Sequence, residues 1–258
     1  MSRVTRHASR LKDFLESGYK RYNIPEFIET DPVSVPHRFS GKEDLEISAF
    51  LTATIAWGNR TSIIANAGRL MYLMNDRPYH FVMTASSREK DPLRQFVHRT
   101  FNGTDCIFFL ESLKNIYRYH GGLESQFLFI NRIGVKESIM AFRKTFLELP
   151  NQKHVEKHLS DPSNGSPAKR LNLFLRWMVR KDTGGVDFGL WKKVNASELI
   201  CPLDVHVARV SRKLGLLNRK SNDWKAAEEL TENLKRFDKD DPVKYDIALF
   251  GMGVMEGF

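Results

Sequence analysis

Apolar residues along this chain recur at intervals of three and four, the spacing of helices with one buried face. Leu11, Phe14, Leu15, Tyr19 and Tyr22 predict an amphipathic helix over residues 8–22. Pro25, Pro32 and Pro36 then impose extended or looped backbone, because a proline disfavours helix in the residue before it. Gly41 leads into a strongly apolar helix from Leu45 to about Trp57, whose Ala, Thr and Ile content predicts burial on most sides. Gly58 and Asn59 break it, and another helix runs through Ile63, Ala67, Leu70 and Leu73. Helical spacing also surrounds Phe96, Val97 and Phe101 and covers 106–119, 123–129 and 135–147. Further on it covers 171–178, a segment opened by Pro202 and carrying Val207, Val210, Leu214 and Leu217, and a helix from Asp223 through Leu234. The closing apolar segment, Val243 to Met255, contains Gly251 and Gly253, which allow neighbouring helices to come close. No stretch alternates with period two, and no repeat of 20–50 residues stands out, so the expected fold class is all-α.

The polar, turn-rich stretch 151–168 interrupts this pattern. It suggests a two-lobed organisation: residues 1–40 with part of the C-terminal region as a first helical lobe, and a helical core over 41–258. At 258 residues, 41% hydrophobic and 28% charged, the chain has the profile of a folded protein, which excludes the disordered class. Cys106 and Cys201 are too few for a disulfide framework or a thiolate metal cluster. They fit a reduced, cytoplasmic setting. The N-terminus lacks a signal-like apolar core, and no run reaches membrane-spanning length, so no membrane partner is expected. The net charge of +9 implies a polyanionic partner, with force only where basic residues flank a reaction site.

Two stretches carry candidate chemistry. Gly165-Ser166-Pro167-Ala168-Lys169-Arg170 is a glycine-containing turn feeding a helix, an arrangement whose backbone N–H groups can seat a phosphate. A plain loop and helix start accounts for the same residues. In Pro202-Leu203-Asp204-Val205-His206, Pro202 suits a first turn, and Asp204 falls near the positive end of the helix dipole. Asp204 can equally be a helix-start device. Arg209, Arg212 and Lys213 lie off the apolar stripe, and Gly215 stops the helix.

Taken together with Ala248-Leu249-Phe250-Gly251, these stretches resemble the helix–hairpin–helix DNA glycosylase superfamily, which includes endonuclease III and the 8-oxoguanine glycosylases. The resemblance is closest to the archaeal 8-oxoguanine glycosylase branch and to a related, uncharacterised bacterial family. It spans about 40–258, with the hairpin motif near 150–180 and a catalytic helix from 202. It implies a monomeric base-excision repair enzyme acting on double-stranded DNA with damaged bases, 8-oxoguanine first among them, or abasic sites. Abasic-site lyase activity would accompany base removal. In that reading Lys169 attacks C1′ and the Asp204 carboxylate stabilises the positive charge developing on the sugar. Gly165, Ser166, Ala168 and Arg170 hold a phosphate, joined by Arg209 and Arg212, and Trp57, Trp191 and His206 are candidates for the base pocket. A monovalent cation at the hairpin is a superfamily feature; no other metal or cofactor is implied, and the cysteine count excludes an iron–sulfur cluster.

The chain departs from the pattern in two places. Lys169 and Asp204 are 35 residues apart (204 − 169), longer than in endonuclease III, with the extra length in 184–197. Pro167 stands where a second glycine is common. Asp187 and Asp246 are alternative acids outside the motif, and the tryptophans and His206 can instead be core residues. The alternative function is a helix–hairpin–helix nucleic-acid-binding protein without catalysis. An all-α interaction protein is the third reading.

Overall fold

A computed structural model of the chain describes residues 3–150 and 153–258. The protein is mostly α-helical. Among the described residues the one sheet is a minimal antiparallel hairpin, Val97–His98 with Phe101–Asn102, and a single antiparallel bridge joins Lys181 and Phe188. The chain forms two compact units, one of Met1–Phe27 with Pro162–Phe258 and the other of Ile28–Asp161. Helix α1 (Arg3–Tyr22) belongs to the first, and α2 (Pro25–Glu29) carries the chain onward.

The Ile28–Asp161 unit contains α3 (Lys42–Thr54), α4 (Arg60–Leu73), α5 (Pro78–Thr84), α6 (Ser87–Lys90), α7 (Gly103–Tyr119), α8 (Ile130–Ile133) and α9 (Val135–Phe146). Every residue of α3 from Leu45 to Thr54 is buried, the outcome its Ala, Thr and Ile content predicts. At its middle, Phe50 packs on Phe109, Phe142 and Phe146 with ring centroids 6.0, 5.7 and 5.4 Å away. The helical spacing around Phe96 to Phe101 is misleading, because this segment is the hairpin. Arg99, at φ 56°, takes the left-handed position of its turn. Val97 is 56% exposed while His98 and Phe101 are buried, an alternation too short to register as a strand pattern. Residues 123–129 likewise form a 3-10 turn, Glu124–Phe127, ahead of α8 rather than one helix.

The other unit adds α10 (Lys169–Val179), α11 (Val205–Lys213), α12 (Trp224–Lys235) and α13 (Tyr245–Met255) to α1. Both α1 and α11 pack on α13, whose Ile247, Ala248 and Leu249 are fully buried. The two glycines of α13 make this possible. A Cβ on Gly251 would lie 2.3 Å from the Tyr22 ring, and one on Gly253 would lie 3.1 Å from Cβ of His206. Ahead of α10 the chain makes two 3-10 turns, Lys153–His158 and Pro162–Asn164, rather than a regular helix. Residues 151 and 152 of the interrupting stretch lie outside the described residues.

Candidate active site

Lys169 is the first residue of α10, and the turn before it is shaped by two left-handed residues. Gly165 has φ 81°, which glycine adopts without penalty, and Ala168 has φ 45°. An alanine held there costs on the order of 1 kcal/mol, and its complete burial holds it in place. Two N–H groups of the turn are already engaged: Gly165 N donates to Pro162 O at 3.1 Å and Ala168 N to Ser166 Oγ at 3.2 Å. The Asn172 side chain ties α10 back to the turn by donating to Pro167 O at 3.0 Å. Trp224 N donates to Gly165 O at 3.0 Å and anchors the turn to the start of α12.

Asp204 is the cap of α11 and lies just outside it. Its backbone is extended (φ −106°, ψ −177°), and Oδ1 accepts from His206 N at 2.9 Å and Val207 N at 2.8 Å. The helix therefore starts at Val205, three residues later than the Pro202 start expected from sequence; once Asp204 caps, Pro202 falls in the extended approach. With Oδ1 occupied by the cap, Oδ2 reaches Lys169 Nζ at 3.5 Å. The 35-residue separation thus does not keep the two side chains apart. They are 30% and 11% exposed, so both side chains are partly open to solvent. The contact is longer than the ~2.8 Å of a tight charge-assisted hydrogen bond, so the amine is held near the carboxylate without being clamped.

Behind this pair runs a line of buried charge. Residues seven and eleven apart fall within about 20° of one line along a helix, which places Lys169, Arg176 and Arg180 on one stripe of α10 and its C-terminal end. Arg176 bonds Asp187 Oδ1 at 3.2 Å through Nε and Asp246 Oδ2 through Nη1. Arg180 bonds Asp187 and Asp182 at 2.8 and 2.7 Å, Asp241 at 2.8 Å and the Tyr19 hydroxyl at 2.5 Å. Burial alone would lower the Arg180 guanidinium, but the charges of Asp187 and Asp241 outweigh it and raise it. Asp187 and Asp246, the alternative acids, are thus both partners of Arg176. Burial pushes Asp246 up to about 7, with Asp204 adding to the rise and Arg176 and Lys169 opposing it. The Cys201 thiol, raised well above its ordinary range by burial, donates to Asp246 Oδ1 at 3.9 Å. Sequence reasoning missed Arg176 and Arg180; the signal was their spacing from Lys169 on one helical line, inside an otherwise apolar helix.

The other candidates have varied surroundings. Arg170 is partly buried, and burial lowers it to about 10. Arg209 donates to the backbone oxygens of Phe258 and Gly253, and Arg212 to those of Arg219 and Lys220 and to Asn222 Oδ1. These acceptors are neutral, and the bonds fix Phe258 and the 219–222 loop. His206 is partly buried, edge-on to Phe250 at 6.4 Å, and its Nδ1 meets no hydrogen-bond partner. Trp191 is fully buried, edge-on to Phe174 at 5.3 Å, and so is a core residue. Trp57 belongs to the Ile28–Asp161 unit, where it lies edge-on to His98 at 5.2 Å and stacks on His158 at 6.0 Å. That unit also holds the fully buried Asp105, 2.9 Å from His154 and 3.1 Å from His158. Among the described residues no group of three His, Cys, Asp or Glu side chains is placed to hold a metal ion, and no helix is long and apolar enough to cross a membrane.

A family model described as "Protein of unknown function (DUF2400)" matches residues 31–255. The chain belongs to this family. Comparison of this DUF2400 chain with curated proteins and with solved structures finds no match. The matched span begins after α1 and includes Lys169, Asp204 and Asp246.

Proposed function

We propose that this DUF2400 protein is a base-excision repair DNA glycosylase with abasic-site lyase activity, built on a helix–hairpin–helix glycosylase-like fold, with 8-oxoguanine as the leading substrate. The observation that carries the reading is the 3.5 Å approach of Lys169 Nζ to Asp204 Oδ2 across 35 residues of sequence. A cation beside a carboxylate is in itself an ordinary ion pair. Here the cation opens a helix after a left-handed turn, the carboxylate caps a second helix, and both side chains are partly open.

In the proposed reaction the target nucleotide leaves the base stack. The neutral Lys169 amine attacks C1′ while the C1′–N bond breaks, its electron pair departing with the base, which takes up a proton from solvent. The Asp204 carboxylate faces the positive charge growing on the sugar and accepts the proton the attacking amine releases. Ring opening gives an imine to Lys169, and loss of a C2′ proton then expels the 3′ phosphate.

Borohydride trapping on duplexes carrying 8-oxoguanine or an abasic site tests this reading. The wild-type protein should form a covalent adduct and Lys169→Ala none, with Asp204→Asn slowed by about 10²–10³-fold. Absence of an adduct across a panel of lesions would overturn the enzymatic reading; DNA binding without adduct would favour the non-catalytic nucleic-acid-binding alternative.

A further inference from the structure

The carboxylates on the α10 stripe outnumber its cations. Lys169, Arg176 and Arg180 face Asp204, Asp246, Asp187, Asp182 and Asp241. Buried charge without a counter-charge is costly, and such a cluster relieves itself by keeping a proton on one of its acids. Asp246 is the acid with the fewest other options. It is 4% exposed, and among the described residues its Oδ2 is held by Arg176 and its Oδ1 has only the weak Cys201 thiol donor. Asp187, by contrast, is shared by Arg176 and Arg180. Arg176 places Asp246 two helical turns along α10 from Lys169, while Cys201 ties it to the segment that ends in Asp204.

We propose that Asp246 is a positioning residue whose charge controls the Lys169–Asp204 pair through the field inside the cluster. The inference rests on the glycosylase reading for its consequence, since a nucleophilic amine must first lose its proton, but the coupling itself can be measured without DNA. The ionisable groups acting on Asp246 are Arg176 and Lys169 from α10, Asp204 and Cys201 from the approach to α11, and Asp187 across the shared Arg176. Those that α1 brings to α13, Glu16 and Tyr22, bond Tyr245 and Glu256. Burial holds the Asp246 proton up to about pH 7, against the pull of Arg176 and Lys169. Below that pH the cluster carries one negative charge fewer, and the field at the Lys169–Asp204 pair is less negative than it is once Asp246 ionises.

The test is carboxyl ¹³C NMR of aspartate-labelled protein, titrated without DNA. Asp246 should be the carboxyl with its midpoint near 7, and its resonance should vanish in Asp246→Asn. If that variant does not fold, Asp246→Glu, which keeps a carboxyl but takes it out of the aspartate label, makes the same assignment. Lys169→Met removes a positive charge and should move the midpoint up, whereas Asp204→Asn removes a negative charge and should move it down. Shifts of opposite sign support the coupling, because a general loosening of packing would move both the same way. No shift in either variant, or shifts of one sign, would overturn it. Where trapping gives an adduct, the rise of its rate with pH should flatten on passing through 7 in the wild type and not in Asp246→Asn; an unchanged bend would also overturn the proposal. If no adduct forms, the glycosylase reading falls by itself and the NMR titrations still decide the coupling.

Discussion

Asp204 caps α11 with one carboxylate oxygen and meets Lys169 with the other, so its structural and chemical roles can be separated by choice of substitution. Asparagine caps a helix about as well as aspartate, whereas alanine in a cap position costs about 1 kcal/mol. Asp204→Asn should therefore keep close to wild-type stability in urea while losing its effect on trapping, and Asp204→Ala should lose both. An Asp204→Asn protein as unstable as Asp204→Ala would contradict the capping role. The motif showed that this aspartate stands at a helix start. It did not show which side of the boundary, because Pro202 and Asp204 are both good starting residues and only backbone geometry picks between them. The same holds for Arg176 and Arg180, whose sequence neighbours suggest a plain apolar helix and whose partners lie as far as Asp246 and Asp241.

At the scale of elements, the unit built from α1, α10, α11, α12 and α13 depends on how closely helices reach α13. Gly251→Ala tests this. Alanine favours a helix by about 1 kcal/mol over glycine, but the new methyl would stand 2.3 Å from the Tyr22 ring, on the face where α1 packs. Overpacking of that kind costs about 1–3 kcal/mol, so a net loss in the urea midpoint is expected; a gain would mean that α1 does not hold the position described. The small residues of α13 were legible as a signal for close helix packing. The hairpin at Val97–Asn102 was not: its two-residue strands offer no periodicity, and its aromatic residues coincide with helical spacing.

For the whole molecule, the net charge of +9 becomes informative only through where the cations are engaged. Arg176 and Arg180 are consumed by buried aspartates, while Arg209 and Arg212 bond neutral acceptors, the arrangement that binding to a polyanionic partner would need. If DNA is that partner, affinity should fall steeply as salt is raised, with a log–log slope of about −0.9 for each phosphate neutralised. Replacing Arg209 by Met should make the slope shallower by about one such increment if it contacts a phosphate. Fluorescence anisotropy over a salt series measures both, and binding insensitive to salt would sink the nucleic-acid readings.

Local patterning by itself determined the helical class of this protein, the near-complete burial of α3, the close-packing glycines of α13 and the two stretches containing Lys169 and Asp204. These follow from spacing and side-chain type, which are properties of neighbours along the chain. Tertiary structure alone decided that Lys169 and Asp204 meet across 35 residues, that Trp191 belongs to the core, and that a line of buried aspartates backs the pair. The physical reason is that charge pairing and burial depend on distance in space, and partners such as Arg176 and Asp246 are brought together only by the packing of helices remote in sequence.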